Sequence, residues 1–154
     1  MSDVDFFLLS LSVVMIAAAG NIINDYFDLK IDRENKPDKI IVGRYIKRRV
    51  AMGAHIVINM VGVILGSYIS WKVGNVKLVG VHIGAAVLLW YYAVYFKKKF
   101  LVGNVIIAVL SSIIIFLVYI YEVQMLNTVH AENEFNFSIL KFWTYGYMFF
   151  AFVY

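Results

Sequence analysis

The chain has 154 residues, of which 62% are hydrophobic and only 16% charged, and its mean hydropathy is +0.79. A water-soluble domain of this size cannot cover so much apolar surface, so the composition excludes that class and points to an integral membrane protein. The net charge of +4 matters less than where the charges fall, and the absence of cysteine excludes disulfides and thiolate metal sites.

The first five residues, Met1-Ser2-Asp3-Val4-Asp5, are acidic where a cleavable signal peptide would be basic. Apolar runs long enough to span about 30 Å of hydrocarbon, at about 1.5 Å per residue, follow at residues 4–27, 50–71, 78–96 and 100–121. A fifth run begins near Phe137 and continues to Tyr154. No alternating pattern competes with this reading. The expected fold is all-α, a polytopic transmembrane helix bundle.

The first run ends in Asn21-Ile22-Ile23-Asn24-Asp25-Tyr26-Phe27-Asp28-Leu29-Lys30-Ile31-Asp32. At about 100° per residue, Asn21, Asn24, Asp25, Asp28 and Asp32 share one arc of roughly 100°, with Lys30 opposite. Acids on one face at the mouth of an apolar bundle are costly to maintain and ask for a cation.

The connections differ in charge. Residues 30–49 and the cluster Lys97-Lys98-Lys99 hold eleven of the 14 Lys and Arg; the others are Lys72, Lys77 and Lys141. The positive-inside bias puts the first two segments in the cytoplasm, and Met1, the turn at 71–77 and a loop at 122–141 outside. The acid face then lies at the cytoplasmic surface beside both basic clusters. An outside N-terminus without a signal, and a last helix without a polar flank, suggest a fragment that lacks a preceding helix and a following half. The basic clusters belong to a lipid bilayer setting, no nucleic-acid partner is expected, and the residues specify no oligomeric state.

Gly62-x-x-x-Gly66 and Gly80-x-x-x-Gly84 are small-residue pairs that let helices approach closely. Trp71, Trp90, Tyr91, Tyr92, Tyr95, Tyr119 and Tyr121 read mostly as interfacial belt residues. His55 and Asn59, spaced i, i+4, read as a buried hydrogen-bonded pair. His82 reads as structural, and His130, with Glu132 and Glu134, as solvated.

Asp25, Asp28 and Asp32 supply hard oxygen ligands and Asn24 a neutral carbonyl. Mg²⁺ takes one or two carboxylates, keeps waters and completes its shell with substrate phosphates. Neighbouring Lys and Arg suit a diphosphate bridged to the acids by Mg²⁺ better than a closed metal cage. Two other readings stand beside this one. The acids can be a solvated helix end paired with local Lys and Arg, or the ladder of a cation transporter. Transporters usually place such acids near the bilayer midplane, not at its edge.

The stretch from Asn24 to Asp32 matches the N-D-x-x-D-x-x-x-D motif of the UbiA-type intramembrane prenyltransferases. Its continuation, Arg33-Glu34-Asn35-Lys36-Pro37-Asp38-Lys39-Ile40-Ile41-Val42-Gly43-Arg44-Tyr45-Ile46, resembles that family's D-R-x-N-K-P-x-R-P-I-x-x-G-x-I loop. Tyr92 to Lys97, then Gly103-Asn104, resembles its Tyr-x-x-x-x-Lys and Gly-Asn segment. The resemblance implies that residues 1–154 are one partial domain, about five helices of a nine-helix fold. It implies transfer of a prenyl group from an isoprenyl diphosphate to an acceptor, with Mg²⁺ as cofactor.

By the same resemblance, Asn24, Asp25, Asp28 and Asp32 would hold the metal. Asn21, Asn24, Arg44, Lys97, Lys98 and Asn104 would contact the diphosphate substrate, and Tyr92 would lie near the allylic carbon. Asp25, Asp28, Tyr92 and Lys97 would carry the catalysis. Lys39-Ile40 stands where Arg-Pro is usual, and the chain ends before the family's second Asp-rich motif. The D-x-x-x-D-R-x-N-K-P wording looks most like the branch that alkylates geranylgeranylglyceryl phosphate. Branches acting on aromatic quinone precursors or tetrapyrroles share the first motif. A non-catalytic isoprenoid-diphosphate-binding protein is the alternative if the short chain is genuine.

Overall fold

A computed structural model describes residues 1–99, 101–129 and 138–153. It contains five α-helices: α1 Asp3–Asn35, α2 Arg48–Lys72, α3 Val79–Val94, α4 Val102–Val129 and α5 Ser138–Val153. Short 3₁₀ turns at Pro37–Lys39, Val76–Leu78 and Phe96–Lys98 complete the pattern, and no strand forms among the described residues. Among the described residues, four segments, with α3 extended through its preceding turn, are long and apolar enough to cross a membrane.

Two helices outlast their apolar runs. The first run ends near Phe27, but α1 continues, as the acid arc required, through Asp32 to Asn35, 33 residues in all. At about 1.5 Å per residue that is about 50 Å, so its last turns extend beyond an apolar slab about 30 Å thick. Nothing between Asn21 and Asn35 breaks a helix. The only proline, Pro37, does so by forcing Lys36 out of helical geometry, to φ −145° and ψ 57°. Likewise α4 continues past Tyr121 to Val129, so the expected loop at 122–141 is shorter than the hydropathy implied. The expected start of the fifth run at Phe137, and His130, Glu132 and Glu134, lie outside the described residues.

The start of α1 is fixed by Ser2. Its hydroxyl accepts from the Asp5 backbone N–H at 3.2 Å and donates to the Asp5 carboxylate at 2.7 Å, a reciprocal N-terminal cap. The same carboxylate, buried in the bundle, receives Lys72 from the end of α2 at 2.6 Å. The Met1 ammonium reaches Glu122 on α4 at 3.0 Å. These pairs close one end of the bundle, over an apolar core of Leu9, Ile69, Val73, Leu78, Leu117 and Tyr121.

Packing loosens toward the other end, where the acids lie. The most extensive contact is between α1 and α2, whereas α3 and α4 barely touch and α5 packs on α4. Gly62 makes the first contact possible: a Cβ there would sit 2.8 Å from Ile16 Cγ1 and 3.1 Å from the Ser12 carbonyl oxygen. Gly66 does the same for the His82 ring. The Gly80–Gly84 pair has no such role, since a Cβ at either would meet nothing within 4 Å.

The inward polar residues make contacts across helices. His55 does not pair with Asn59; its Nδ1 lies 2.8 Å from the Ala19 carbonyl of α1, and its ring lies 5.3 Å from that of Trp90. An i, i+4 spacing cannot reveal that a neighbouring backbone is the better partner. Trp90 is half-buried, edge-on to Phe27 at 5.9 Å. Tyr121, expected among the belt residues, is instead fully buried, because its hydroxyl finds Ser70 and His82 inside the bundle. His82 is structural as expected, in a network that takes one residue from each of α1 to α4.

Candidate functional site

The acids share the exposed continuation of α1 but meet two different neighbours. On one flank, the Lys97 ammonium pairs with the Asp28 carboxylate and donates to Asn24 Oδ1 at 2.9 Å. On the other, Asp25 and Asp32 border a cavity of about 60 Å³ closed by Leu29 and by Lys39, Ile40, Ile41 and Val42 of the following loop. An arc of about 100° is wide enough for its edges to face different elements.

The loop is held in place by local turn chemistry. Gly43 adopts φ +85°, a conformation that side chains resist, and its N–H donates to the Ile46 carbonyl at 2.7 Å. A Cβ on Gly43 would lie 3.2 Å from both methyls of Leu29. With Val42 buried, this turn presses the loop back against the helix that carries the acids. Arg48, at the start of α2, stacks its guanidinium 4.5 Å from the centre of the Tyr26 ring on α1.

Lys97 owes its position to the end of α3. The helix stops at Val94 and tightens into the turn Phe96–Lys98. Gly103, at the start of α4, lies against that turn: a Cβ there would be 3.3 Å from the Phe96 carbonyl oxygen, 3.4 Å from Lys97 Cα and 3.4 Å from the Tyr92 ring. Gly103 thus provides the close approach of α4 to the turn that carries Lys97.

Two cavities adjoin this end. One, of about 230 Å³, runs between α1, α3 and α4, with Asn21 on its lining and almost entirely apolar walls. The other, of about 570 Å³, is bordered by Tyr92, Asn104, Ser111 and the end of α5. So Asn24, Asp28 and Lys97 come together, as do Tyr92 with Asn104, and Asp25 with Asp32. Arg44 is not brought to the acids: it donates to the Pro37 carbonyl at 3.4 Å and lies 5.3 Å from the centre of the Tyr45 ring. Lys98 is exposed on the Lys97 turn.

Lys39 is the residue that sequence reasoning undervalued. It reads as a weakened Arg-Pro step, yet it borders the same small cavity as Asp25 and Asp32. Its place in the K-P-x-R-P pattern was the available signal.

Among the described residues, no three His, Asp or Glu side chains converge closely enough to hold a metal ion by themselves. The donors are nevertheless hard oxygens spread along one helix face. That set fits Mg²⁺ shared with substrate phosphates, which needs only one or two carboxylates, and not a cage built by the protein alone.

Comparison with known proteins follows the same line. The sequence model of the UbiA prenyltransferase family matches residues 2–154. A protein of Methanospirillum hungatei named digeranylgeranylglyceryl phosphate synthase is 36% identical over 109 residues, covering 70% of this chain and 37% of that one. Its namesake in Methanothermobacter thermautotrophicus is 38% identical over 111 residues, covering 71% and 38%. That of Sulfurisphaera tokodaii is 39% identical over 101 residues, covering 66% and 34%. The chain thus aligns with little more than a third of the length of these relatives. No solved structure gives a significant match.

Proposed function

The chain belongs to the UbiA prenyltransferase family, and from that premise we propose that it transfers a prenyl group from an isoprenyl diphosphate to an acceptor, in a Mg²⁺-dependent reaction at the cytoplasmic face. The observation that carries this reading is the meeting of Asn24, Asp28 and Lys97, where a carboxylate face and a cation stand together one to two turns along α1 from Asn21, which lines an apolar cavity. A diphosphate with an apolar tail needs both environments side by side.

In this proposal Asp25, Asp28 and Asp32, with Asn24 as a carbonyl donor, hold the metal on the diphosphate. A bound Mg²⁺ would supply charge neutralisation for the departing diphosphate. Lys97 turns from Asp28 to the diphosphate oxygens, aided by Lys98 on the same turn, and Asn21 and Asn104 orient the substrate. The allylic C–O bond breaks with its electron pair leaving on diphosphate. Tyr92 lies against the allylic carbon, where its ring face favours developing positive charge. The acceptor hydroxyl oxygen then forms the new C–O bond, and its proton leaves with the diphosphate.

For the acceptor we propose geranylgeranylglyceryl phosphate, because the relatives named above are called digeranylgeranylglyceryl phosphate synthases. Residues 1–154 would be the first-motif portion of a larger catalytic domain. The test is to incubate membranes carrying the whole protein with geranylgeranyl diphosphate, Mg²⁺ and either that lipid phosphate or an aromatic quinone precursor, with product lipids read by mass spectrometry. An ether-linked product from the lipid phosphate supports the reading. Prenylation of the aromatic acceptor alone would move the protein to another branch, and no Mg²⁺-dependent product from either would overturn it.

A further inference from the structure

The narrow cavity between α1, α3 and α4 has ends of different character. Asn21 lies near the acid end, while Val13, His82 and Leu117 lie at the far end. His82 is only 2% exposed, and both of its ring nitrogens are engaged. Nδ1 lies 3.2 Å from Ser12 Oγ and Nε2 lies 3.0 Å from the Tyr121 hydroxyl. Ser12 donates to the Gly62 carbonyl at 2.7 Å, and the Tyr121 hydroxyl lies 2.5 Å from Ser70 Oγ. Ser12, Ser70 and Tyr121 are all completely buried.

A ring tied through its two nitrogens to Ser12 of α1 and Tyr121 of α4, which in turn bond to α2, cannot swing aside without stranding buried polar groups. With those nitrogens committed, it offers the cavity carbon alone. Behind it lies Gly66, where a Cβ would come within 2.4 Å of the ring, so α2 gives the ring no room to retreat.

The position of this block is set by two helices independently. Asp28 and Ser12 are sixteen residues apart on α1, about 24 Å at about 1.5 Å per residue; His82 lies twelve residues, about 18 Å, from the end of α3 at Val94, with the turn that carries Lys97 beyond it. An extended chain of four isoprene units has about sixteen carbons in line, and with C–C bonds of about 1.5 Å in zig-zag it reaches about 20 Å. A prenyl tail whose diphosphate rests by Asp28 and Lys97 therefore ends against His82.

We infer that His82 is the end stop of the prenyl channel, a specificity-determining residue that limits the tail to about four isoprene units; this rests on the proposed function above. Ser12 and Tyr121 position the stop, and Gly66 sets how far it projects.

The experiment is equilibrium binding of geranyl, farnesyl, geranylgeranyl and geranylfarnesyl diphosphate, with Mg²⁺, to the protein in lipid nanodiscs, with thermal unfolding of each variant recorded alongside. The unaltered protein should bind more tightly up to geranylgeranyl and lose on the order of tenfold at geranylfarnesyl, whose last unit cannot be buried. His82→Ala should remove that loss. Gly66→Ala, which pushes the ring into the channel, should move it one isoprene unit earlier, and decides the matter if His82→Ala does not fold. A length profile without a break, or the same break in both folded variants, overturns the end stop and leaves the proposed function standing. Failure to bind any of the four overturns the proposed function and the end stop with it.

Discussion

Lys97 pairs with Asp28 across the gap between the turn after α3 and the last turns of α1, and holds Asn24 at 2.9 Å with the same ammonium group. One cation thus quiets part of a face on which three aspartates stand within eight residues. In the proposed reaction an arriving diphosphate with its metal would replace what Lys97 gives the acids, and free the ammonium for phosphate oxygens.

Lys97→Ala should therefore weaken capture of a prenyl diphosphate. A charge-assisted hydrogen bond contributes about 1.5–3 kcal/mol, so the dissociation constant should rise by about ten- to a hundredfold. Titration with geranylgeranyl diphosphate in nanodiscs measures it. An unchanged constant removes Lys97 from the substrate site and leaves it a helix-joining residue.

Asp25→Asn and Asp28→Asn should each abolish Mg²⁺-dependent turnover of the whole protein while leaving it folded, because both side chains project from an exposed or half-buried helix face and not from the core. The two should differ in one respect. Asp28→Asn also loses the ion pair with Lys97, which salt would otherwise screen, so its thermal midpoint should respond less to added salt than that of Asp25→Asn. Retained turnover in both variants would sink the metal-holding role.

How far the sequence discloses this site depends on where each partner comes from. The acid arc is legible because all its members lie on one unbroken helix, where spacing fixes direction. The joining of Asn24 and Asp28 to Lys97 spans about seventy residues of chain; charge bias placed both at one membrane face, and the family resemblance put them in one site. Hydropathy falls at Asp28 whereas helix geometry persists through the acid arc until Pro37, so the apolar run and the helix end at different places. His55 shows the opposite failure: the spacing to Asn59 was real, but the Ala19 carbonyl on another helix took the hydrogen bond. Nothing in local pattern could have revealed Asp5 with Lys72, or the ring of partners around His82.

Gly43→Ala should loosen the basic loop. A non-glycine residue at φ +85° costs about 1–2 kcal/mol, and the new Cβ would also meet Leu29 at 3.2 Å. Tryptic cleavage within residues 36–49 should become several-fold faster. Gly74→Ala is the control: it carries φ +77° but faces open space in the turn after α2, so cleavage of the distant loop should not change. Equal cleavage of all three proteins would mean that Gly43 does not hold the loop on α1.

The two small-residue pairs should respond to alanine in opposite ways, although they look alike in sequence. At Gly62 the added methyl collides with Ile16 and with the backbone of Ser12, and neither can yield without α1 and α2 moving apart. Overpacking of that kind costs about 1–3 kcal/mol, so the thermal midpoint of Gly62→Ala in detergent should fall by several degrees. At Gly80 and Gly84 there is nothing to collide with, and alanine is the better helix former by about 1 kcal/mol. Those variants should unfold at the original temperature or slightly above it. The α3 glycines border the open gap between α3 and α4, where a methyl meets no wall of this chain. A fall at Gly80 or Gly84 as large as that at Gly62 would mean that another surface packs against α3 there.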